Sequence, residues 1–153
     1  MNVIGIPESI KEEHEELFAG LRSLAYARGP TGKAVKELLE VLEPHFEKED
    51  EVAMPLLGAV AYISKRETGD GLDKVILLQE RLASELDSML LEHKAIGDLI
   101  VSAKAAAKKE KNADALALLQ ALEHHAKIEE EVLYPAAILA GVAAKAMKEA
   151  VPA

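Results

Sequence analysis

No cysteine occurs anywhere in the 153 residues. That removes disulfides, thiolate metal sites and thiol catalysis together, and it leaves the redox compartment open. Aromatic residues are scarce, with two phenylalanines, three tyrosines and no tryptophan. Positive charge is short: 18 lysines and arginines face 27 acidic residues, a formal net charge of −9. A nucleic-acid partner would call for a basic face, so none is expected. Long apolar runs are lacking too. The longest, Val132 to Ala144, contains Pro135 and falls short of the roughly 20 residues a bilayer span needs. The opening Met1-Asn-Val-Ile-Gly-Ile-Pro-Glu8 has neither a basic leader nor a long apolar core, so no signal peptide is read. The expectation is a cytoplasmic protein that stays in water.

What remains favours helix. Ala, Leu, Glu and Lys dominate, and no alternating run of β-branched residues competes with them. The length suits one domain, residues 1–153, with a sizeable core. Ser9-Ile-Lys-Glu12 fits a capping box that opens a first helix, whose stripe is Ile10, His14, Leu17, Leu21 and Leu24. Arg28 to Gly32 is a break, with Thr31 as the expected N-cap of a second helix. That helix carries Leu38, Leu42, His45, Glu49, Val52 and Leu56 along one seam. After a break at Glu67–Gly71, a third helix presents Leu86, Leu90, His93, Ile96 and Ile100, and ends in lysines that suit the negative pole of its dipole. Asn112 or Asp114 caps a fourth, with the seam Leu118, Leu122, His125, Glu129 and Val132. Segments 55–66 and 135–148 read as helical continuations after prolines. Residues 72–86 either extend the third helix or form a short one. Pro44 and Pro55 mark either a kink beside the site or a helix boundary.

The repeat is the strongest signal. His45-Phe-Glu-Lys-Glu49-Asp-Glu-Val-Ala-Met-Pro55 returns eighty residues later as His125-Ala-Lys-Ile-Glu129-Glu-Glu-Val-Leu-Tyr-Pro135. His14 and His93, each preceded by a glutamate, correspond at an offset of seventy-nine. The chain therefore reads as two pseudo-symmetric αα-hairpins packed into an all-α, antiparallel, up-down-up-down four-helix bundle. On a helix, i and i+4 share a face, so each His-x-x-x-Glu aims an imidazole and a carboxylate at one point. Four histidines and two glutamates on apolar seams are costly to bury unless cations neutralise them. A metal site, and a two-metal one, is expected from His14, His45, Glu49, His93, His125 and Glu129. His124 lies about 100° around the helix, and its counterpart is Pro44, so it is expected either to be solvated or to support the ligands from behind. Asp50 and Glu130 repeat as well but sit off the seam, and they rank below Glu49 and Glu129 as alternates. Tyr134 is open between a core role and a redox role.

Nitrogen and oxygen donors without sulfur suit Fe, Mn or Zn. The Glu-x-x-His pattern of ferritin-like bundles is absent, because Lys11, Leu42, Leu90 and Leu122 stand three before the histidines. The order His, His-x-x-x-Glu, His, His-x-x-x-Glu on four successive helices instead resembles the hemerythrin family, in its HHE cation-binding branch. Glu129-Glu-Glu-Val-Leu-Tyr-Pro135 is similar to that branch's fourth-helix signature, and the resemblance covers residues 8 to about 136. It implies a four-helix bundle around a non-heme di-iron centre, bridged by two carboxylates and an oxo or hydroxo group. His14, His45, His93 and His125 would be terminal ligands, and Glu49 and Glu129 the bridges. Oxygen-carrying members have a further histidine in a His-x-x-x-His pair, where this chain offers only Met89 and Gly97 around His93. That points away from reversible oxygen carriage and toward members that handle nitric oxide, peroxide or iron. The implied functions are binding of dioxygen, nitric oxide or peroxide for sensing, storage or detoxification. Alternatives are iron handling, iron-centre repair, weak peroxidase activity and nitric oxide reduction. The repair proteins carry an added cysteine-containing N-terminal region not present here. The chain is expected to act as a monomer or homodimer.

Overall fold

A computed structural model describes residues 3–67 and 69–150. Met1 and Asn2 of the N-terminal reading, and Thr68 of the second break, lie outside them. All regular structure among the described residues is helical: α1 (Glu8–Ala25), α2 (Pro30–Val52), α3 (Leu56–Ser64), α4 (Leu72–Lys109), α5 (Ala113–Ile128), a π-helical turn (Glu129–Leu133) and α6 (Tyr134–Ala150). Residues 72–86 thus extend the third long helix. The continuations after the prolines are α3 and α6. Pro44 lies inside α2 and Pro55 immediately precedes α3, so the two prolines do different things.

Helix starts differ from two expectations. The first helix begins after Pro7 with no side-chain cap, and Ser9 is already within it. Pro supplies a fixed φ there, and Pro7 O accepts from the amides of Ile10 and Lys11. Thr31 likewise lies inside α2, which starts at Pro30, the favoured first helical position for proline. Its buried backbone N–H donates to Glu110 of the adjoining helix end at 2.8 Å. Gly29 precedes Pro30 at φ 99°, a conformation costly for any residue with a Cβ. The expected cap Asn112 is borne out, accepting from the Ala115 amide at 3.0 Å.

Two apolar clusters form the interior. One gathers Leu17 and Leu21 of α1, Val35 to Phe46 of α2, Ile96 to Ala107 of α4 and Ala115 to Leu122 of α5. The other gathers Val52 to Leu56, Ala59, Leu72 to Met89 of α4 and Tyr134 to Ala144 of α6. The alanine-rich tail therefore covers the bundle's own end, with Ala137, Ala140 and Ala144 packed inside. Between the clusters lies the level of His14, His45, His93 and His125. On the two long seams through α4 and α5 the burial shifts by a residue: Met89 is buried where Leu90 was expected, and Leu119 where Leu118 was expected. Each lies one residue from the position chosen, a small phase error on a long helix.

Candidate metal centre

The six residues expected to converge do so. His14 comes from α1, His45 and Glu49 from α2, His93 from α4, His125 from α5 and Glu129 from the π turn, and all six are at most 6% exposed. They fall into two overlapping groups of donor atoms that lie within 4.8 Å of one another: His45, Glu49, His93 and Glu129, and then His14, His125 and Glu129. Every inward nitrogen is Nε2. His14 Nε2 is 2.9 Å from His125 Nε2 and 3.2 Å from Glu129 Oε1. His45 Nε2 meets Glu49 Oε1 at 2.6 Å, and His93 Nε2 lies 3.3 Å from Glu49 and 3.2 Å from Glu129. His125 Nε2 contacts Glu129 as well. His124, by contrast, is exposed, the solvated of its two expected places.

The outward nitrogens account for Glu13 and Glu92, and for Asp50 and Glu130, which were expected only as alternate ligands. Glu92 binds His45 Nδ1 at 2.8 Å, Glu130 binds His93 Nδ1 at 2.9 Å and Glu13 binds His125 Nδ1 at 2.6 Å. Asp50 stands 3.4 Å from His14 Nδ1, without a hydrogen bond between them. Carboxylates behind ligating histidines fix the tautomer and the ring direction. The signal was present: Glu13 and Glu92 stand 79 residues apart and Asp50 and Glu130 stand 80 apart, the two offsets at which the histidines themselves repeat.

Tyr134, open between a core and a redox role from the sequence, is buried in the core with its hydroxyl in the site. Its hydroxyl donates to Glu49 Oε1 and lies 3.0 Å from His93 Nε2. The π turn places it there. The Tyr134 amide bonds to Glu129 O, five residues back, and Met54 N bonds to Glu49 O in the same way. In each copy proline follows at once, and its ring clashes with a carbonyl four residues earlier and widens the turn. The first copy stays α-helical through Val52, which is fully buried, whereas the second is already π-helical from Glu129, and Val132 within that turn is 55% exposed. The expectation of Val132 on the seam is corrected on that ground.

Charge in this layer is heavily coupled. Burial alone would depress His14 and His93. The carboxylates beside them outweigh it, Asp50 and Glu129 for the first and Glu129 and Glu49 for the second, and each is raised to about 10. His45 and His125 move the same way. Burial would raise Glu129, but hydrogen bonds from His125, His14 and His93 hold it far below the usual carboxylate range. Burial and then the charge of Glu49 push the Tyr134 phenol far upward, so it stays protonated.

These shifts carry a sign. Raised histidines stabilise the metal-free fold fully below pH 6.5 and lose that contribution as pH climbs toward 10. The depressed Glu129 contributes above pH 4.5 and loses it below. Metal-free protein should therefore melt lower at pH 9.5 than at pH 6, while metal affinity should rise over that interval, because ligation displaces protons. Calorimetry and metal titration at the two pH values check both slopes; a melting temperature that rises with pH contradicts the assignment.

A buried layer of four imidazoles and two carboxylates across an all-helical bundle defines a cation-binding bundle protein. The hemerythrin HHE cation binding domain matches residues 6–137, and the chain belongs to that family. No curated protein and no solved structure matches it. No helix among the described residues is long and apolar enough to cross a membrane.

Proposed function

We propose that the chain is a non-heme di-iron protein that binds dioxygen, nitric oxide or peroxide, for sensing, storage or detoxification. The observation that carries this is Glu49. Its Oε2 is fully buried with no hydrogen-bond partner, and His14 Nε2 stands 3.7 Å from it. A buried carboxylate oxygen left unpaired costs several kcal/mol, and a cation on it removes that cost. The donor set is nitrogen and oxygen only, which suits iron and is compatible with Mn or Zn.

His45, His93 and Glu49 would hold one ion, and His14 and His125 the other, with Glu129 shared between them and Glu49 reaching toward the second through Oε2. When bound, the pair supplies Lewis-acid and redox chemistry to the small ligand. The chain's own residues set the stage. Glu13, Glu92 and Glu130 hold three rings by their outer nitrogens. Tyr134 donates to Glu49 Oε1 and so turns the other oxygen inward. The flanking apolar clusters keep bulk water away. The absence of an imidazole at Met89 and Gly97 leaves coordination for an external ligand.

The same reading takes residues 1–153 as one domain in the cytoplasm, monomeric or homodimeric, with antiparallel up-down-up-down order and two pseudo-symmetric hairpins. The apolar clusters support that order: the later half of α1 shares one with residues 35–46 of α2, and the later half of α4 with α5. Elemental analysis joined to spectra of anaerobic and then aerated protein tests the proposal. Two irons per chain, and visible bands that change on exposure to dioxygen or nitric oxide, are expected. A spectroscopically silent protein holding only zinc would overturn the ligand-binding reading.

A further inference from the structure

One of the four histidines is held differently from the rest, and it borders an open groove. The outer nitrogens of His45, His93 and His125 are each hydrogen-bonded to a carboxylate. His14 Nδ1 is buried and has no hydrogen-bond partner, and His14 itself is 6% exposed. Between α1 and α2, His14 and Asp50 help line a cleft of about 360 Å³, together with Glu15, Glu43, Glu47 and Arg22. Four carboxylates thus face one guanidinium. That guanidinium is already engaged, 3.5 Å from Glu43 and 4.4 Å from the centre of the Phe18 ring. A second groove on the α4 and α6 side is bounded by Leu86, Leu90, Tyr134, Ile138 and Leu139 and has a single carboxylate, Glu130, which is already hydrogen-bonded to His93. A divalent cation would be drawn to the first and not to the second.

We propose that the α1–α2 groove is the loading port for the metal centre, taking hydrated divalent cations from solvent. Glu15, Glu43 and Glu47 concentrate the ion at the mouth, Asp50 receives it at the floor, and His14 passes it inward. An acidic cleft with low-dielectric walls focuses its field and accelerates capture of an oppositely charged solute, by tenfold or more in strong cases. Phe46 stacks on the His14 ring at 4.4 Å and Asp50 stands 3.4 Å from Nδ1, so an ion received by Asp50 meets a ring nitrogen that no hydrogen bond occupies. The cation loses water and gains carboxylate and imidazole donors, and no electron is moved. The inference rests on the reading that the buried layer binds metal.

The test is the rate of Co(II) uptake by the metal-stripped full chain, followed by the visible absorption of the bound ion. The triple variant Glu15→Gln, Glu43→Gln, Glu47→Gln should load about tenfold more slowly at low ionic strength. It should reach the same final stoichiometry and melting temperature, and the gap should narrow as salt is added. The triple variant Glu80→Gln, Glu123→Gln, Glu149→Gln, which removes the same charge from exposed positions elsewhere, should load at the parent rate. Equal rates for the parent and the groove variant, or equal slowing in both variants, would overturn the port. A parent chain that takes up no Co(II) or iron would overturn the metal-binding reading first, and the port with it.

Discussion

Glu49→Ala is expected to reduce the metal content from two ions to one or none, and to abolish the stabilisation that metal confers. Glu49 sits at 0% exposure, its Oε1 shared by His45, His93 and Tyr134 and its Oε2 without any partner. In the loaded protein it would serve the ion between His45 and His93. Without it that ion loses its one carboxylate from α2, and Glu129 alone remains to hold both positions. Metal that binds only the folded chain stabilises it by about 4 kcal/mol at a thousandfold excess over Kd. For a chain of this length that raises the melting temperature on the order of 10 °C. The variant should show little of this rise. Glu49→Gln keeps the shape and loses the charge, and should fail in the same way. If either variant holds two ions and melts like the parent, Glu49 is not a ligand. Loss of folding in the alanine variant alone would be recognised because the glutamine variant retains volume and one acceptor oxygen.

His125→Ala should separate sharply from His124→Ala. The two side chains leave the same helix in adjacent positions, yet one is 2% exposed between Glu129 and Glu13 and the other faces solvent. Removing His125 takes the only other imidazole from the ion beside His14 and leaves Glu13 without its partner. One ion per chain, or fewer, is expected. His124→Ala should hold two ions and change stability by no more than about 0.5 kcal/mol, as surface substitutions do. Metal analysis and calorimetry on the pair decide the matter. The reverse pattern would mean that the helix is turned by a residue.

Much of this centre was legible because helical periodicity is rigid. An imidazole and a carboxylate four residues apart must share a face, and leucines a turn earlier say which face is inward. Repetition at offsets of seventy-nine and eighty then joined four separate helices into one layer. What escaped the sequence depends on departures from that period. The π turn at Glu129–Leu133 departs from it, and Val132 lies exposed within that turn where the α-helical Val52 is buried. A wheel drawn at 100° per residue cannot show it, although Pro135 at the same distance from Glu129 as Pro55 from Glu49 hints at it. Asp50 and Glu130 were off the seam and so ranked low as ligands. That same angle is what lets each stand behind a histidine of a neighbouring helix. The helix starts failed for a simpler reason. Ser9 and Thr31 are good caps in isolation, but Pro7 and Pro30 set the first turn ahead of them.

The most direct test is anomalous diffraction from crystals of the iron-loaded protein. Two peaks about 3.5–4 Å apart should appear, one beside His45 and His93 and one beside His14 and His125, with Glu129 between them. A single peak at the surface, or none in protein exposed to iron, would contradict the idea that these buried acids and imidazoles exist to hold cations.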